Sequence, residues 1–500
     1  MKRPITWIRR ALTWAVCFAG SSYILLFLGL TALRLVYPYE VEWNEGAVLD
    51  HAIRILGGKP LYATPSLEFA AFIYTPIYYH LVAGLMKITG VAMMPGRLIS
   101  ILSTLLTALL IGRITQRETK STLLAFSSAA LYIAFYHVTG FFYDIVRMDA
   151  LSLFLAVAAI YTVLYVRKGY IGAAILIALA YFTKQQMLCF WPAIALWLFI
   201  RNPKQAYIFI TISITLLLAV SLILNTTTHG WFAFYTWKEP SAKTHYFFSY
   251  GRAIAFFHVN LLGTFALTTI VILFAYILTI TPPRPSPLVR GGGKNGYALL
   301  LFCYTASIAA SSLSIGNEGG YKNVLMPLAA TIAILFPISL QRIAQSFSIS
   351  NALIQWLLLF EFFALAYNPL GEKMLIASPR QRHAGDEFIA KLRAISGDVW
   401  IPMHGYLNTL AGKPTFVHFM AMSDALTVQD TSATRLQREI DSAYREHRFT
   451  VIILDQDLSF PPDSIPHYTP RGTIFRTPNV FLSRLGDEAT RPQYLFVPSP

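Results

Sequence analysis

Apolar residues in this chain gather into eleven long runs, and the charged residues between the runs sort by sign. The runs are residues 14 to 37, 97 to 112, 121 to 138, 150 to 166, 170 to 183, 187 to 200, 206 to 224, 254 to 280, 297 to 315, 324 to 340 and 351 to 367. Many reach the ~20 residues that a helix needs to cross hydrocarbon. The first run follows Lys2, Arg3, Arg9 and Arg10, so the positive-inside bias puts the amino terminus in the cytoplasm. With no small-residue cleavage site, and too long for a signal-peptide core, it reads as a retained span. Counting alternately from there places Arg113, Arg117, Lys120, Arg167, Lys168, Arg201, Lys204 and Arg342 inside, with Glu118 as the single acid in the cytoplasmic loops.

Residues 76 to 92 are also apolar, but treating them as a span would invert every later loop. With His80 and Lys87 as polar points, this segment is expected to lie as an interfacial helix on the outer face. Residues 281 to 296, dense in Pro and Gly, predict a flexible basic cytoplasmic linker. After residue 367 the pattern changes. Val399-Trp-Ile401 and Val451-Ile-Ile-Leu454 read as short buried strands, and Leu436, Ile440 and Tyr444 give Thr431 to His447 a helical apolar face. The expected fold class is therefore an α-helical polytopic membrane protein of about eleven spans over residues 1–368. A small extracytoplasmic α/β domain would follow over residues 369–500.

Composition agrees: 55% hydrophobic, 14% aromatic and 13% charged residues cannot be hidden in one water-soluble core. The net charge of +15 would suggest nucleic acid in a soluble protein. Here much of the excess sits in inner loops facing anionic lipid, which argues against a nucleic-acid partner. Cys17, Cys189 and Cys303 all lie within apolar runs, so neither a disulfide framework nor a Cys-based metal site is available.

The candidate chemistry lies in the outer loops. Glu40, Glu42 and Glu45 stand at the end of the first span, ahead of an amphipathic segment ended by Gly57-Gly58. Carboxylates at a membrane boundary are raised in pKa and become better proton acceptors. A solvated acidic collar is the better reading of any one of them alone, but the cluster with its following helix favours function. In the second outer loop, Asp144, Arg147 and Asp149 sit at membrane depth, where charge either lines a cavity or staples two helices. Lys184 stands at a short turn and could simply snorkel. Lys322 lies beside Tyr321 and Glu318 after two glycines. Several cations opposite carboxylates suit a bound phosphate with a departing group. The aromatic loop between residues 225 and 252 reads first as a membrane-interface belt, with sugar or lipid contact as an addition.

These pieces occur in a familiar order: Asn44-Glu45-Gly46, Gly58-Lys-Pro-Leu-Tyr62, Tyr74-Thr-Pro-Ile-Tyr-Tyr79, Arg147-Met-Asp-Ala-Leu151, Thr183-Lys184 and Tyr321-Lys-Asn-Val-Leu-Met-Pro327. Together they resemble the GT-C integral membrane glycosyltransferases of the protein O-mannosyltransferase and aminoarabinose transferase kind, over roughly the first 330 residues. The resemblance implies a polyprenyl-phosphate sugar donor and an active site on the non-cytoplasmic face of the plasma (inner) membrane. It assigns the first-loop acid to Glu45, with Glu42 sharing or taking that role because relatives often carry Asp-Glu where this chain has Asn44-Glu45. The second-loop acid would be Asp149, and Arg147, Lys184, Lys322 and Tyr321 would hold the donor phosphate.

The reaction expected is inverting transfer to an acceptor hydroxyl on lipid, glycan or protein. A divalent metal ion between Glu45 and Asp149 is compatible with these residues, though nothing in the sequence demands one. The rival reading, a transporter or lipid flippase, would call for internal repeats and ionisable residues near mid-membrane. Glu361 is the exception inside a run, with no role assigned.

Overall fold

The computed structural model describes residues 3–280, 294–366, 378–455, 465–477, 480–483, 485 and 490–500. The linker expected at 281–296 falls outside them except for its last three residues, which begin a helix. Every apolar run coincides with a helix. Five helices among the described residues are long and apolar enough to cross a membrane: Trp7–Leu35, Met94–Thr119, Pro203–Thr227, Gly296–Gly316 and Lys322–Phe347. The run at 254 to 280 is bent by 91° between Tyr250–Thr264 and Ala266–Thr279, so at most it makes one broken span. Thr122–Ala134, Asp149–Tyr165, Gly169–Tyr181, Phe190–Arg201 and Asn351–Ala364 are shorter and complete the bundle. The chain is a multi-pass membrane protein.

The helix Met326–Phe347 is the axis of the bundle. The hydrophobic effect does not drive association within lipid, so close packing of small residues must hold the helices together. Ala329, Ala330 and Ala333 supply it, and the helix is enclosed by Met94–Thr119, Thr122–Ala134, Ala266–Ile280, Lys294–Gly316 and Asn351–Ala364. Pro203–Thr227 is its opposite, burying only Ala206, Phe209 and Ser213 while Tyr207, Leu218, Leu222 and Ile223 point outward.

The two ends of the bundle differ. At one, Tyr165 donates to Glu118 (2.8 Å), Gln341 donates to the Thr119 carbonyl (3.1 Å), and Arg342 lies 4.0 Å above the Tyr297 ring. This is the end where the basic loops collect. At the other lie the first long loop and the C-terminal domain. Residues 76 to 92 form a helix only over Ile77–Thr89, which packs on Glu45–Leu56 and on Met94–Thr119. It buries Tyr78, Tyr79, Val82 and Met86 and exposes His80, Leu81, Lys87 and Ile88. Beside it lies the amphipathic helix Glu45–Leu56.

The C-terminal domain carries a four-stranded sheet of β1 (Asp398–Trp400), β2 (Phe449–Asp455), β3 (Tyr468–Thr473) and β4 (Pro492–Pro498), in the order β1-β2-β4-β3. The pairing of β1 with β2 is parallel and the other two are antiparallel. The apolar face read at Leu436, Ile440 and Tyr444 belongs to the helix Thr431–Arg445, capped by Asp430. The domain is docked on the first loop through Val417, whose N–H donates to Leu67 (2.8 Å), and Glu439, which accepts from the Leu67 N–H (3.1 Å).

Candidate active site

Four segments meet beneath the C-terminal domain. The first is the loop from Val36 to Asn44, where the first helix has ended and no regular structure has begun. The second is the turn at residues 143–148, which lies along the first turns of Met94–Thr119: Thr104 donates to the Tyr143 carbonyl (2.8 Å) and Ser100 to that of Arg147 (3.2 Å). Gly96 permits this approach, since a Cβ there would stand 2.5 Å from Val146. Third comes the turn at 181–185, to which residues 73–77 are bound by Thr75 donating to Tyr181 (2.7 Å) and Gln185 donating to Ile73 (2.6 Å). That contact delivers Tyr74 to Lys184. The fourth segment, at Tyr321–Leu325, opens the central helix.

Arg147 is the centre. Its guanidinium lies 3.8 Å from the Glu42 carboxylate and 3.9 Å from Asp149, 3.4 Å from the Tyr74 hydroxyl, and above the Tyr74 and Phe142 rings. Arg147, Glu42, Asp149 and Phe142 are buried and Tyr74 partly so, yet the Nε and Nη1 of Arg147 make no hydrogen bond among the described residues. Unmade donors on a buried guanidinium are costly unless something else takes them. Asp149, at the start of its helix, accepts from Lys184 Nζ and from Asn323 Nδ2 (2.9 Å). Lys184 also lies 5.9 Å from the Tyr74 ring. Buried cations with spare donors beside an aromatic wall make a receptor for an anion.

The two first-loop acids divide sharply. Glu45 is gripped by Arg97 through two hydrogen bonds (2.9 and 2.7 Å), and accepts from the backbone N–H groups of Val41 (2.8 Å) and Val146 (2.9 Å). Burial would raise its carboxyl, but Arg97 and the backbone donors outweigh it and hold Glu45 below the ordinary glutamate value. It ties the loop, the second turn and the Met94–Thr119 helix together. Glu42 has only the Asn44 N–H (3.2 Å) and the more distant Arg147. Burial pushes its carboxyl up against the pull of Arg147, to about 7.

Of the other residues singled out in the sequence, Asp144 is paired with Arg34 at 3.0 Å and hydrogen-bonded by Tyr136, which ties the turn at 143–148 to the first helix. Tyr321 packs edge-on against Trp43 at 6.4 Å. Lys322 is exposed at the rim, and its neighbour Asn323 reaches the centre instead. Of the two acids weighed for a divalent ion, Glu45 is paired with Arg97 and Asp149 with Lys184. Among the described residues no three His, Cys, Asp or Glu side chains are grouped to hold a metal.

In the aromatic loop, Phe232 and Tyr235 pack against Tyr62, while Trp237 and Tyr250 remain exposed. Sequence reasoning missed Arg97, Asn323 and the hydroxyl of Tyr74. A guanidinium heading an apolar run was the available signal for Arg97. Asn323 stood in the quoted string Tyr321–Pro327, but with no charge to single it out.

Residues 74–231, less than half of the chain, match the family model of dolichyl-phosphate-mannose-protein mannosyltransferases. No curated protein matches the chain. Among solved structures, ArnT from Cupriavidus metallidurans bound to undecaprenyl phosphate superposes with a TM-score of 0.59 at 9% identity, covering 95% of this chain and 97% of that one. The same protein in the apo state gives 0.59 at 10% identity with the same coverage. The oligosaccharyltransferase of Archaeoglobus fulgidus, in complex with Zn and sulfate, gives 0.50 at 11%, covering 88% of this chain and 68% of that one. At such identities the likeness is one of fold, and over nearly its whole length the chain has the ArnT-like, GT-C fold that the order of its motifs resembled.

Proposed function

We propose that this protein is an inverting membrane glycosyltransferase that moves a sugar from a polyprenyl-phosphate donor to an acceptor hydroxyl, at the face of the membrane carrying the C-terminal domain. The observation that carries this reading is the buried Arg147, with two unmade donors, set between Glu42 and the Lys184–Asp149 pair. Supporting it are the match to a mannosyltransferase family model across Tyr74, Arg147, Asp149 and Lys184, and the fold shared with a protein crystallised with undecaprenyl phosphate. The basic opposite end is the cytoplasmic one by the positive-inside rule, which makes the reacting face extracytoplasmic.

Glu42 takes the proton of the acceptor hydroxyl as its oxygen attacks the anomeric carbon. The bond from that carbon to the phosphate oxygen breaks, and its electron pair leaves with the polyprenyl phosphate. Arg147 and Lys184 neutralise the charge that builds there, worth more in a water-poor site than in bulk solvent. A phosphate leaves without an acid catalyst, and one base without a covalent intermediate gives inversion. Asp149 orients Lys184 and Arg147, Glu45 braces the loop, and Tyr321 and Lys322 stand next to Asn323, which reaches Asp149.

The test is transfer from a radiolabelled polyprenyl-phosphate sugar by the purified protein in lipid. Glu42→Gln is expected to lower kcat by about 100- to 10,000-fold, and Arg147→Met by about 100- to 1000-fold. Full transfer by a folded Glu42→Gln protein removes that residue from the chemistry. Vectorial substrate uptake into vesicles with no sugar transferred would favour the transporter reading.

A further inference from the structure

The C-terminal domain carries no part of the phosphate receptor described above, yet it touches the acidic loop along most of its length. The Tyr39 hydroxyl donates to Asp386 (2.5 Å) and its ring packs edge-on against Phe481. The Val41 carbonyl accepts from the Leu485 N–H (2.9 Å). Trp43 stacks on His418, with ring centroids 5.7 Å apart and planes inclined by 26°.

Between these contacts lies a charged one. His404, on the segment that follows β1, has its Nδ1 against the Glu40 carboxylate and its Nε2 2.9 Å from Asp455 at the end of β2. All three side chains are buried. A neutral imidazole can donate only one N–H, so facing two ionised carboxylates calls for the doubly protonated ring. Burial opposes that charge, but Asp455 and Glu40 outweigh it and hold His404 well above its ordinary value. The link is built in from the other side too: a Cβ on Gly46 would stand 1.8 Å from Glu40 Oε1, so only glycine leaves the carboxylate its place.

The loop is thus held twice. From the bundle, Arg97 donates to the carbonyls of Arg34, Tyr37 and Tyr39 and to Glu45. From above, His404 holds Glu40, two residues before Glu42. We propose that His404 is a positioning residue for the reaction: clamped by Asp455, it fixes Glu40 and with it the turn that aims Glu42 at Arg147, so that the C-terminal domain completes the active site rather than merely covering it. This rests on Glu42 being the base.

A double-mutant cycle in the transfer assay, with the full-length protein, separates the two claims. Displacing a reacting group by about 1 Å costs on the order of 100-fold. His404→Gln is accordingly expected to lower kcat about 10- to 100-fold with KM for the lipid-linked donor changed less than about 3-fold. Glu40→Gln, which tests the same link from the loop side, should do likewise, and it serves if the histidine variant fails to fold.

In a Glu42→Gln background, His404→Gln should cause no further loss, because the two act through one group. Tyr444→Leu, a change in the core of the same domain away from the loop, should lower the melting temperature while leaving kcat. Folded His404→Gln and Glu40→Gln proteins with wild-type kcat overturn the inference and leave the Glu42 reading standing. So does Tyr444→Leu losing kcat as His404→Gln does, or additive losses in the double variant. An active Glu42→Gln protein overturns the Glu42 reading instead, whatever His404 does, and His404 positioning falls with it.

Discussion

Glu42 and Glu45 are three residues apart and equally buried, and their neighbours give them opposite properties. Because burial raises Glu42 to about 7, it is protonated at lower pH and cannot accept the hydroxyl proton. The ratio kcat/KM should therefore rise with pH up to the neighbourhood of 7 and then level. That acid limb should vanish from the residual activity of Glu42→Gln. A limb near the ordinary glutamate value in the wild-type profile would count against Glu42.

Glu45 calls for a different measurement. Removing one partner of a buried pair strands the other charge at a cost of about 3–5 kcal/mol, so Glu45→Gln should lower the thermal stability of the detergent-solubilised protein. Its surviving folded fraction should keep measurable transfer. A variant that melts like the wild type and has lost all transfer would make Glu45 the base. Both acids were visible in the sequence as one cluster. Their division was not, because Arg97 and Arg147 come from segments about 50 and 100 positions further along.

At the level of elements, the apolar runs predict the helices closely, since run length and residue type are local properties. Two of them show where local reading stops. The run at 254 to 280 is apolar throughout but bends by 91°, and its first half is an α-helix passing into a π-helix over Phe257–Thr264. Apolar content does not distinguish a straight crossing from a broken one. The run at 324 to 340 looks like any other, yet its helix is the most enclosed of the five long ones. Overpacking a close-packed interior costs about 1–3 kcal/mol, so Ala333→Phe should lower the melting temperature clearly. Leu222→Ala, on a helix face exposed in the bundle, should barely move it. Equal effects would mean that the central helix is not packed as described.

For the molecule as a whole, the question is what seats the C-terminal domain on the bundle. Two ion pairs join it to the helical segment after residue 230, and they differ in setting. Lys238 and Asp430 lie 2.5 Å apart but largely in solvent, with side chains 53% and 26% exposed. Lys243 and Asp424, at 2.7 Å, are mostly buried, with the Glu239 carboxyl enclosed nearby and raised by that burial. An exposed pair contributes about 0–1 kcal/mol, while breaking a buried one costs roughly 3 kcal/mol or more. Lys243→Met should therefore loosen the domain, seen as faster proteolysis at its boundary and a lower melting temperature, whereas Lys238→Met should leave both nearly unchanged. The reverse order would show that the exposed pair carries the docking.

The sequence alone was enough to show a multi-pass membrane protein, the positions of the helices along its apolar runs and two of the four strands of its small domain. Each follows from short-range pattern, since hydrocarbon demands long apolar runs and a sheet demands alternation or a short buried run. It also named Glu42, Arg147, Asp149 and Lys184 as candidates, because charge beside a membrane span is rare enough to notice. Only the tertiary structure decided what each one faces. A carboxylate becomes a base or a brace according to which cation lies beside it and how much water is left, and those neighbours arrive from helices and a domain far along the chain. His404 shows this most plainly: it lies more than 360 residues beyond Glu40, and its pairing with that carboxylate could not be read until the fold set the two in contact.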